Sequence, residues 1–175
     1  SKKVLLEMGS NSGIIIDEEC DLPRAIQQSL VGGFAYQGQV CIHAQRIYVH
    51  QKVFADFFEG FLAGVKKLKM GDPLDKECDL GPMIEEAAAR QAEAWVHEAV
   101  HQGAKLLYGG QSQRNFMAPT VLTETRPIMR VVCEEIFAPV VVLESCRDFS
   151  EAIEKFNEGS RAGTYRYGLS AGVFT

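Results

Sequence analysis

The sequence predicts an α/β domain built on a largely parallel sheet flanked by helices. Two segments, residues 53–68 and 85–103, carry apolar side chains at the 3.6-residue spacing of helices. Short apolar runs lie around them, and residues 140–143 are apolar at four consecutive positions, as in strands covered on both faces. Helices that alternate with buried strands are typical of this fold class. At 175 residues, the chain has the length of one domain.

The first predicted elements are two short strands and a helix. Residues 4–6 and 13–16 are aliphatic or β-branched runs, separated by a turn-forming cluster of Gly, Ser and Asn. Asp21 and Pro23 are typical of a helix start, because an aspartate caps the first turn and proline fits within it. This helix should end near Gly38.

The remaining elements alternate between strands and helices. Strands are predicted at residues 46–50, 105–108, 118–122, 139–143 and 169–174, and helices over residues 53–68, 85–103 and 150–157.

Composition and charge exclude several classes of function. The net charge is -5 without acidic or basic blocks, so no nucleic acid and no anionic membrane surface is expected as a partner. No apolar run approaches the roughly 18 residues that cross a bilayer. The five cysteines form no C-x-x-C pair, which predicts no metal site and reduced thiols. We therefore expect a cytoplasmic location and a small-molecule substrate.

One cysteine stands where active-site loops are common. Cys41 follows a helix that ends in glycine and precedes a strand, within the sequence G-Q-V-C-I-H-A-Q-R. Position alone is weak evidence for a catalytic role, since a single thiol is more often a small buried apolar group. His43 lies two residues beyond Cys41, which leaves a Cys-His dyad as an alternative.

Several motifs in one order resemble the aldehyde dehydrogenase superfamily. Cys41 within G-Q-V-C, followed by Arg46, is similar to the nucleophile signature, and L-E-M-G-S at residues 6–10 is similar to the strand and turn about 34 residues ahead of it. Further similar motifs are G-D-P at 71–73, G-P at 81–82, A-P-T-V at 118–121, E-E-I-F-A-P-V at 134–140 and Y-G-L-S-A-G-V-F-T at 167–175. On these motifs, residues 1–175 are identified as a catalytic domain of that superfamily.

The resemblance implies a thiol mechanism with two catalytic residues. Cys41 would attack the aldehyde, and the thiohemiacetal would be oxidised by NAD or NADP to a thioester. Glu7 would be the general base that activates the hydrolytic water, which favours a free carboxylic acid as product. Two alternatives stay open: an acyl-transferring, coenzyme A-dependent relative, and a catalytically silent binding or structural module. Glu7 could otherwise be a carboxylate paired with a surface cation.

The resemblance also implies cofactor-binding residues. Glu135 is similar to the carboxylate that accepts hydrogen bonds from the nicotinamide ribose, and Phe137 to the aromatic side chain packed against that ribose. Without the resemblance, Glu134 and Glu135 would be an ordinary solvated pair. The family needs no histidine at position 43, so the resemblance does not favour the dyad.

The resemblance further implies a longer enzyme. Residues 1–175 would be truncated at both ends, with the NAD(P)-binding domain and a C-terminal oligomerisation strand outside them, and the parent would be a homodimer or homotetramer. The motifs look closest to the branch of lactaldehyde, succinate-semialdehyde and phosphonoacetaldehyde dehydrogenases, which favours a small polar aldehyde. Between Asn157 and Tyr167 the chain is about six residues longer than the family, and we expect a flexible surface insertion there.

Overall fold

A six-stranded sheet lies between two layers of helices in the computed structural model, which describes residues 2–175. The strands are β1 (Gly13–Ile16), β2 (Arg46–His50), β3 (Lys105–Tyr108), β4 (Ser112–Gln113), β5 (Phe116–Met117), β6 (Thr120–Thr123), β7 (Val140–Cys146) and β8 (Ala171–Phe174). The helices are α1 (Leu22–Phe34), α2 (Gln51–Val65), α3 (Glu86–His101), α4 (Arg130–Cys133) and α5 (Phe149–Ala162).

The sheet has the strand order β3-β6-β7-β2-β1-β8, and β4 and β5 form a separate hairpin. Every neighbouring pair in the large sheet is parallel except β3 and β6, which are antiparallel. This architecture confirms the predicted α/β class with a largely parallel sheet.

Both faces of the sheet are covered. Side chains alternate along a strand, so Ile14 and Ile47 pack on the side of α1 and α2, whereas Ile15 and Tyr48 face α5. On that second side, Val142 packs into the core formed with α3 and α4. Because neighbouring positions bury against different helices, the strands can be apolar at consecutive positions, as the sequence predicted.

Helix α1 begins where its capping residues predict. The Asp21 side chain accepts a hydrogen bond from the Arg24 N–H, and Pro23 lies in the first turn. The helix ends at Phe34, earlier than predicted, and a 3-10 turn follows to Gly38. Tyr36 and Gln37 adopt positive φ angles of 54° and 59°, which interrupt the α-helical path.

The strand predicted at residues 4–6 is wrong. Val4, Leu5 and Leu6 lie in the described part of the chain but form no regular structure, and their exposed fractions are 77%, 86% and 73%. Aliphatic residues favour strands when the side chains pack and the backbone pairs with a neighbour. Neither condition is met for this segment within residues 2–175.

The prediction of a flexible surface insertion after Asn157 is also wrong for the residues up to Ala162. Helix α5 continues to Ala162, and Gly159 and Ser160 in its last turns are buried. Packing and side-chain hydrogen bonds with distant segments hold these last turns in place. A local sequence pattern does not predict such contacts.

Across residues 2–175, no helix has both the length and the apolar character needed to cross a membrane.

Candidate active site

The segments that carry the predicted site residues all lie at one edge of the sheet. Glu7 precedes β1, Cys41 precedes β2, and Glu135 and Phe137 precede β7. These strands are parallel and adjacent in the order β7-β2-β1, so their amino ends lie side by side. Ligand sites of open α/β sheets usually lie at the carboxyl ends of strands. Here the candidate residues lie instead at the amino edge.

The Cys41 loop lies directly against the segment that precedes β7. Cys41 is half-buried in a turn closed by a 2.9 Å hydrogen bond from the His43 N–H to the Val40 carbonyl. Gly38, three residues earlier, has a φ of +66°, and a Cβ built there would overlap the carbonyl group of Ala138. Only glycine permits both this conformation and this close approach, which explains the first letter of the G-Q-V-C motif.

Gln45 joins the Cys41 loop to the Glu135 segment. Its side chain is 1% exposed, and its Nε2 donates to the carbonyls of Val131 at 2.9 Å and Glu134 at 2.8 Å. Its Oε1 accepts from the Ile136 N–H at 3.2 Å. Sequence reasoning missed this residue, although a glutamine immediately before a predicted strand was an available signal.

Arg46 joins β2 to two other segments. Its guanidinium is fully buried and donates to the Asn11 carbonyl at 2.9 Å, the Phe156 carbonyl at 2.8 Å and the Ser160 hydroxyl at 2.7 Å. Asn11 in turn donates to the Val132 carbonyl at 2.9 Å. Among residues 2–175, no carboxylate forms an ion pair with this guanidinium. Burial lowers the pKa of Arg46.

Glu7 is exposed, and the residues after it contact Glu135. The Ser10 N–H donates to Glu135 Oε1 at 2.9 Å, and a Cβ built on Gly9 would lie 2.6 Å from Glu135 Oε2. The structure therefore brings the Glu7 segment beside Glu135. Within the described residues, no hydrogen bond joins Glu7 to Cys41, so their shared role stays a prediction.

Glu135 and Phe137 line an open cavity of about 540 Å³, together with Gln37, Gln39 and Ile84 among others. Glu135 is half-buried, whereas Phe137 is 41% exposed and has a φ of 49°, a conformation uncommon for a bulky residue. The exposed ring therefore forms part of the cavity lining. A carboxylate that only accepts hydrogen bonds, beside an exposed ring, fits a sugar hydroxyl pair such as that of a nicotinamide ribose.

A second cavity, of about 410 Å³, shares Glu135 with the first. Its other lining residues are Met8, Gly9, Tyr165, Arg166 and Tyr167. The Tyr167 hydroxyl accepts from the Glu135 N–H at 3.3 Å. The segment before β8 therefore contacts Glu135 through the Tyr167 hydroxyl and lines a cavity beside it.

His43 has a structural partner. Its buried Nε2 lies 2.9 Å from the Gly33 carbonyl, which can only accept, so this nitrogen donates. Burial lowers the pKa of His43 to about 4, and the ring is neutral near pH 7. No hydrogen bond joins His43 and Cys41 in the part of the chain that the structure describes, so the geometry gives the dyad no support.

The five cysteines differ in exposure. All are free, and Cys133 and Cys146 are buried, which raises the pKa of both thiols. Burial also raises the pKa of the half-buried Cys20. Over residues 2–175, no three His, Cys, Asp or Glu side chains are grouped so that they could hold a metal ion.

The sequence model of the aldehyde dehydrogenase family matches residues 1–175. The 3-sulfolactaldehyde dehydrogenase of Priestia aryabhattai is 39% identical over 174 residues, which cover 99% of this chain and 35% of the relative. The lactaldehyde dehydrogenase of Methanococcus aeolicus is 34% identical over 174 residues, covering 99% of this chain and 36% of the relative. The chain thus spans about a third of the length of these relatives.

Solved structures give the same relationship. Aldehyde dehydrogenase 21 from Physcomitrella patens, in complex with the reaction product succinate, superposes with a TM-score of 0.91 at 45% identity, covering 99% of this chain and 35% of the other. Glyceraldehyde-3-phosphate dehydrogenase GapN from Methanocaldococcus jannaschii, complexed with NADP, gives a TM-score of 0.90 at 33% identity, covering 99% of this chain and 36% of the other.

Proposed function

Because this chain belongs to the aldehyde dehydrogenase family, we propose that it is the nucleophile-bearing catalytic domain of an NAD(P)-dependent enzyme that oxidises an aldehyde to a carboxylic acid. The observation that supports this proposal best is the sheet order. It places the loops of Cys41, Glu7 and Glu135 at one edge. Since the chain spans about 35% of its relatives' length, the complete activity is proposed for the longer parent protein.

Cys41 is the proposed nucleophile. Its thiolate sulfur forms a bond to the aldehyde carbon, and the carbonyl oxygen becomes the hydroxyl of a thiohemiacetal. NAD or NADP, when bound, supplies the two-electron acceptor for this centre. Oxidation leaves a thioester on Cys41, and hydrolysis of its carbon–sulfur bond releases the acid and regenerates the thiolate.

Glu7 is the proposed general base for hydrolysis. Its carboxylate takes a proton from the attacking water, which then bonds to the thioester carbon. The hydrogen bond from Ser10 to Glu135 supports this role, because it holds the segment that follows Glu7 at the same edge of the sheet as Glu135. A base at this position favours water over coenzyme A as the acyl acceptor.

Glu135 and Phe137 are the residues proposed to hold the nicotinamide ribose. The carboxylate of Glu135 would accept from the ribose hydroxyls, and the exposed ring of Phe137 would pack against the sugar. Glu135 already accepts one hydrogen bond from Ser10, which orients the carboxylate while leaving lone pairs on both oxygens.

We propose a small polar aldehyde as substrate. The relatives named for sulfolactaldehyde and lactaldehyde, and the structure solved with succinate, support this choice. We further propose a cytoplasmic parent enzyme that is a homodimer or homotetramer.

The full-length protein, given a panel of small polar aldehydes with NAD and with NADP, tests the proposal. We expect one cofactor-linked oxidation that yields free acid. Cys41→Ser should abolish it, whereas Glu7→Gln should give one equivalent of reduced nicotinamide and then stall, because the thioester accumulates. A thioester product that requires coenzyme A would favour the acyl-transferring alternative. Absence of turnover with every aldehyde would favour a silent module.

A further inference from the structure

We propose that Gln45 is a positioning residue, which fixes the Glu135 carboxylate relative to the Cys41 loop. The inference rests on the proposed function, since it assigns Glu135 to cofactor binding. Gln45 is distinct from the residues with proposed catalytic or cofactor-binding roles, which are Cys41, Glu7, Glu135 and Phe137.

The hydrogen bonds of Gln45 bracket Glu135. The carbonyl of Glu134 and the N–H of Ile136, the two peptide neighbours of Glu135, both bind the Gln45 amide. A third bond, to the Val131 carbonyl, holds the preceding helical turn. The backbone on either side of Glu135 is therefore tied to the first residues of β2, and Cys41 lies four residues before Gln45 on the same loop.

Gln45 also contacts the third segment of the site. Its backbone N–H donates to the Ser12 carbonyl at 3.0 Å, and Ser12 follows the Glu7 segment into β1. One residue thus contacts all three loops that converge on the amino edge of the sheet. The other described hydrogen bonds to the Glu135 backbone and carboxylate come from Tyr167 and Ser10, which are half-buried and buried respectively.

Glutamine is suited to this place by its chemistry. The two Nε2 protons each meet a carbonyl, and Oε1 meets an N–H, so an amide of this length satisfies all three groups. Glutamate would set a carboxylate against two carbonyl oxygens. Methionine has nearly the same length but would leave two carbonyls and one N–H buried without partners, which loosens the segment around Glu135.

The experiment compares Gln45→Met with Thr125→Val in the full-length protein. Thr125 donates to the half-buried Glu144 at the carboxyl edge of the sheet, so its loss removes a partly buried hydrogen bond at the edge opposite the candidate site. The first readout is the Kd for NADH and NADPH, measured by nicotinamide fluorescence. The second is amide hydrogen exchange of residues 134–137 without cofactor. The third is the separation of KM from kcat.

We expect Gln45→Met to weaken reduced-cofactor binding by about tenfold, to raise the cofactor KM similarly and to speed exchange at residues 134–137. The kcat at saturating cofactor should change less, and Thr125→Val should leave Kd and exchange unchanged even where it lowers Tm equally. Equal behaviour of the two variants would overturn the proposal.

Two further outcomes are separable. If the wild-type protein binds neither cofactor, the proposed function fails, and exchange at residues 134–137 still decides whether Gln45 holds that segment. If Gln45→Met does not fold, Gln45→Asn keeps the amide but shortens its reach, and it should shift exchange and Kd in the same direction by a smaller factor. Unchanged values in a folded Gln45→Asn would contradict the positioning role.

Discussion

The guanidinium of Arg46 donates to the hydroxyl of Ser160 at 2.7 Å, which joins the strand after the Cys41 loop to the last turns of α5. The remaining described partners of this cation are also neutral, and they include the carbonyls of Asn11 and Phe156. A buried charge without a carboxylate depends on every such acceptor, because desolvation is costly. Ser160 therefore supports β2, the strand that begins directly after the Cys41 loop.

Ser160→Ala should destabilise the protein. The substitution leaves one guanidinium N–H of Arg46 buried without its acceptor, and hydrogen bonds to charged groups contribute about 1.5 to 3 kcal/mol. Urea unfolding should show a lower midpoint. Arg161→Ala, at an exposed neighbouring position, is the matched control and should stay within about 0.5 kcal/mol of wild type. Equal midpoints for the two variants would show that Arg46 does not depend on Ser160.

Gly38→Ala should be far more damaging than Gly103→Ala. Both glycines have positive φ angles, +66° and +107°, so alanine is strained at each by about 1 to 2 kcal/mol. At Gly38 the new Cβ also overlaps the Ala138 backbone, whereas nothing lies within 4 Å at Gly103. We expect a total cost of roughly 3 kcal/mol or more for Gly38→Ala, from strain and overpacking together. Comparison of the two unfolding midpoints isolates the overlap, and similar midpoints would contradict it.

The periodic parts of the fold were predictable from sequence, and the contacts between distant segments were not. Apolar spacing predicted α2 and α3, and the strand at residues 46–50 has its predicted bounds, because local pattern and burial agree there. The side chain of Gln45 reaches backbone 86 to 91 residues away, and such contacts leave no local pattern. The misjudged segments, residues 4–6 and the end of α5, were likewise decided by the absence or presence of distant partners.

The candidate site shows the same division. Cys41, Glu7, Glu135 and Phe137 were predicted through resemblance, and the parallel sheet places their segments at one edge. The residues that hold those segments together are a glutamine and an arginine at the start of a buried strand. The roles of Gln45 and Arg46 become visible only in the fold, because their hydrogen-bond partners are carbonyls and hydroxyls from distant parts of the chain.

His43→Gln should reduce the loss of stability in mild acid. Burial holds the pKa of His43 at about 4, against an ordinary value of 6.5, so below pH 6.5 the unfolded chain takes up a proton that the folded state does not. The free energy of unfolding therefore falls between about pH 6.5 and 4, by up to roughly 3 kcal/mol from this residue. Glutamine can still donate to the Gly33 carbonyl but does not titrate.

The measurement for His43 is the difference between wild-type and variant unfolding free energies across that pH range. Contributions of other titrating groups, such as the half-buried Glu144 with its raised pKa, are common to both proteins and cancel in the difference. A difference that stays constant from pH 7 to 4 would contradict the prediction.

Cys41 should be the fastest thiol to react with iodoacetamide in the full-length protein. Burial raises the pKa of Cys146 to about 11, so roughly one in a thousand of these thiols is ionised at pH 8, and Cys133 is buried as well. Peptide mapping after partial labelling gives the order of reaction. Cys41→Ser should remove the fast phase, and a Cys20 that reacts as fast as Cys41 would count against the proposed role of Cys41 as nucleophile.

The 175 residues expressed alone should fold but should not turn over. Apolar faces of α1, α2 and α3 pack on both sides of the sheet, and this core is internal to the chain. Circular dichroism with a cooperative thermal transition should demonstrate the fold. Weak ester hydrolysis through Cys41 is the most activity expected from the isolated chain.

Oxidation should fail because the nicotinamide must be held about 3 to 3.5 Å from the reacting carbon. Glu135 and Phe137 line an open cavity, and Glu7 is exposed, while the relatives are almost three times as long as this chain. Chain mixed with aldehyde and NAD or NADP should therefore give no rise at the absorbance band of the reduced nicotinamide. The full-length protein assayed in parallel is the control. A rate in the isolated chain close to that of the full-length protein would show that residues 1–175 hold the cofactor without help, and the proposed division of labour would be wrong.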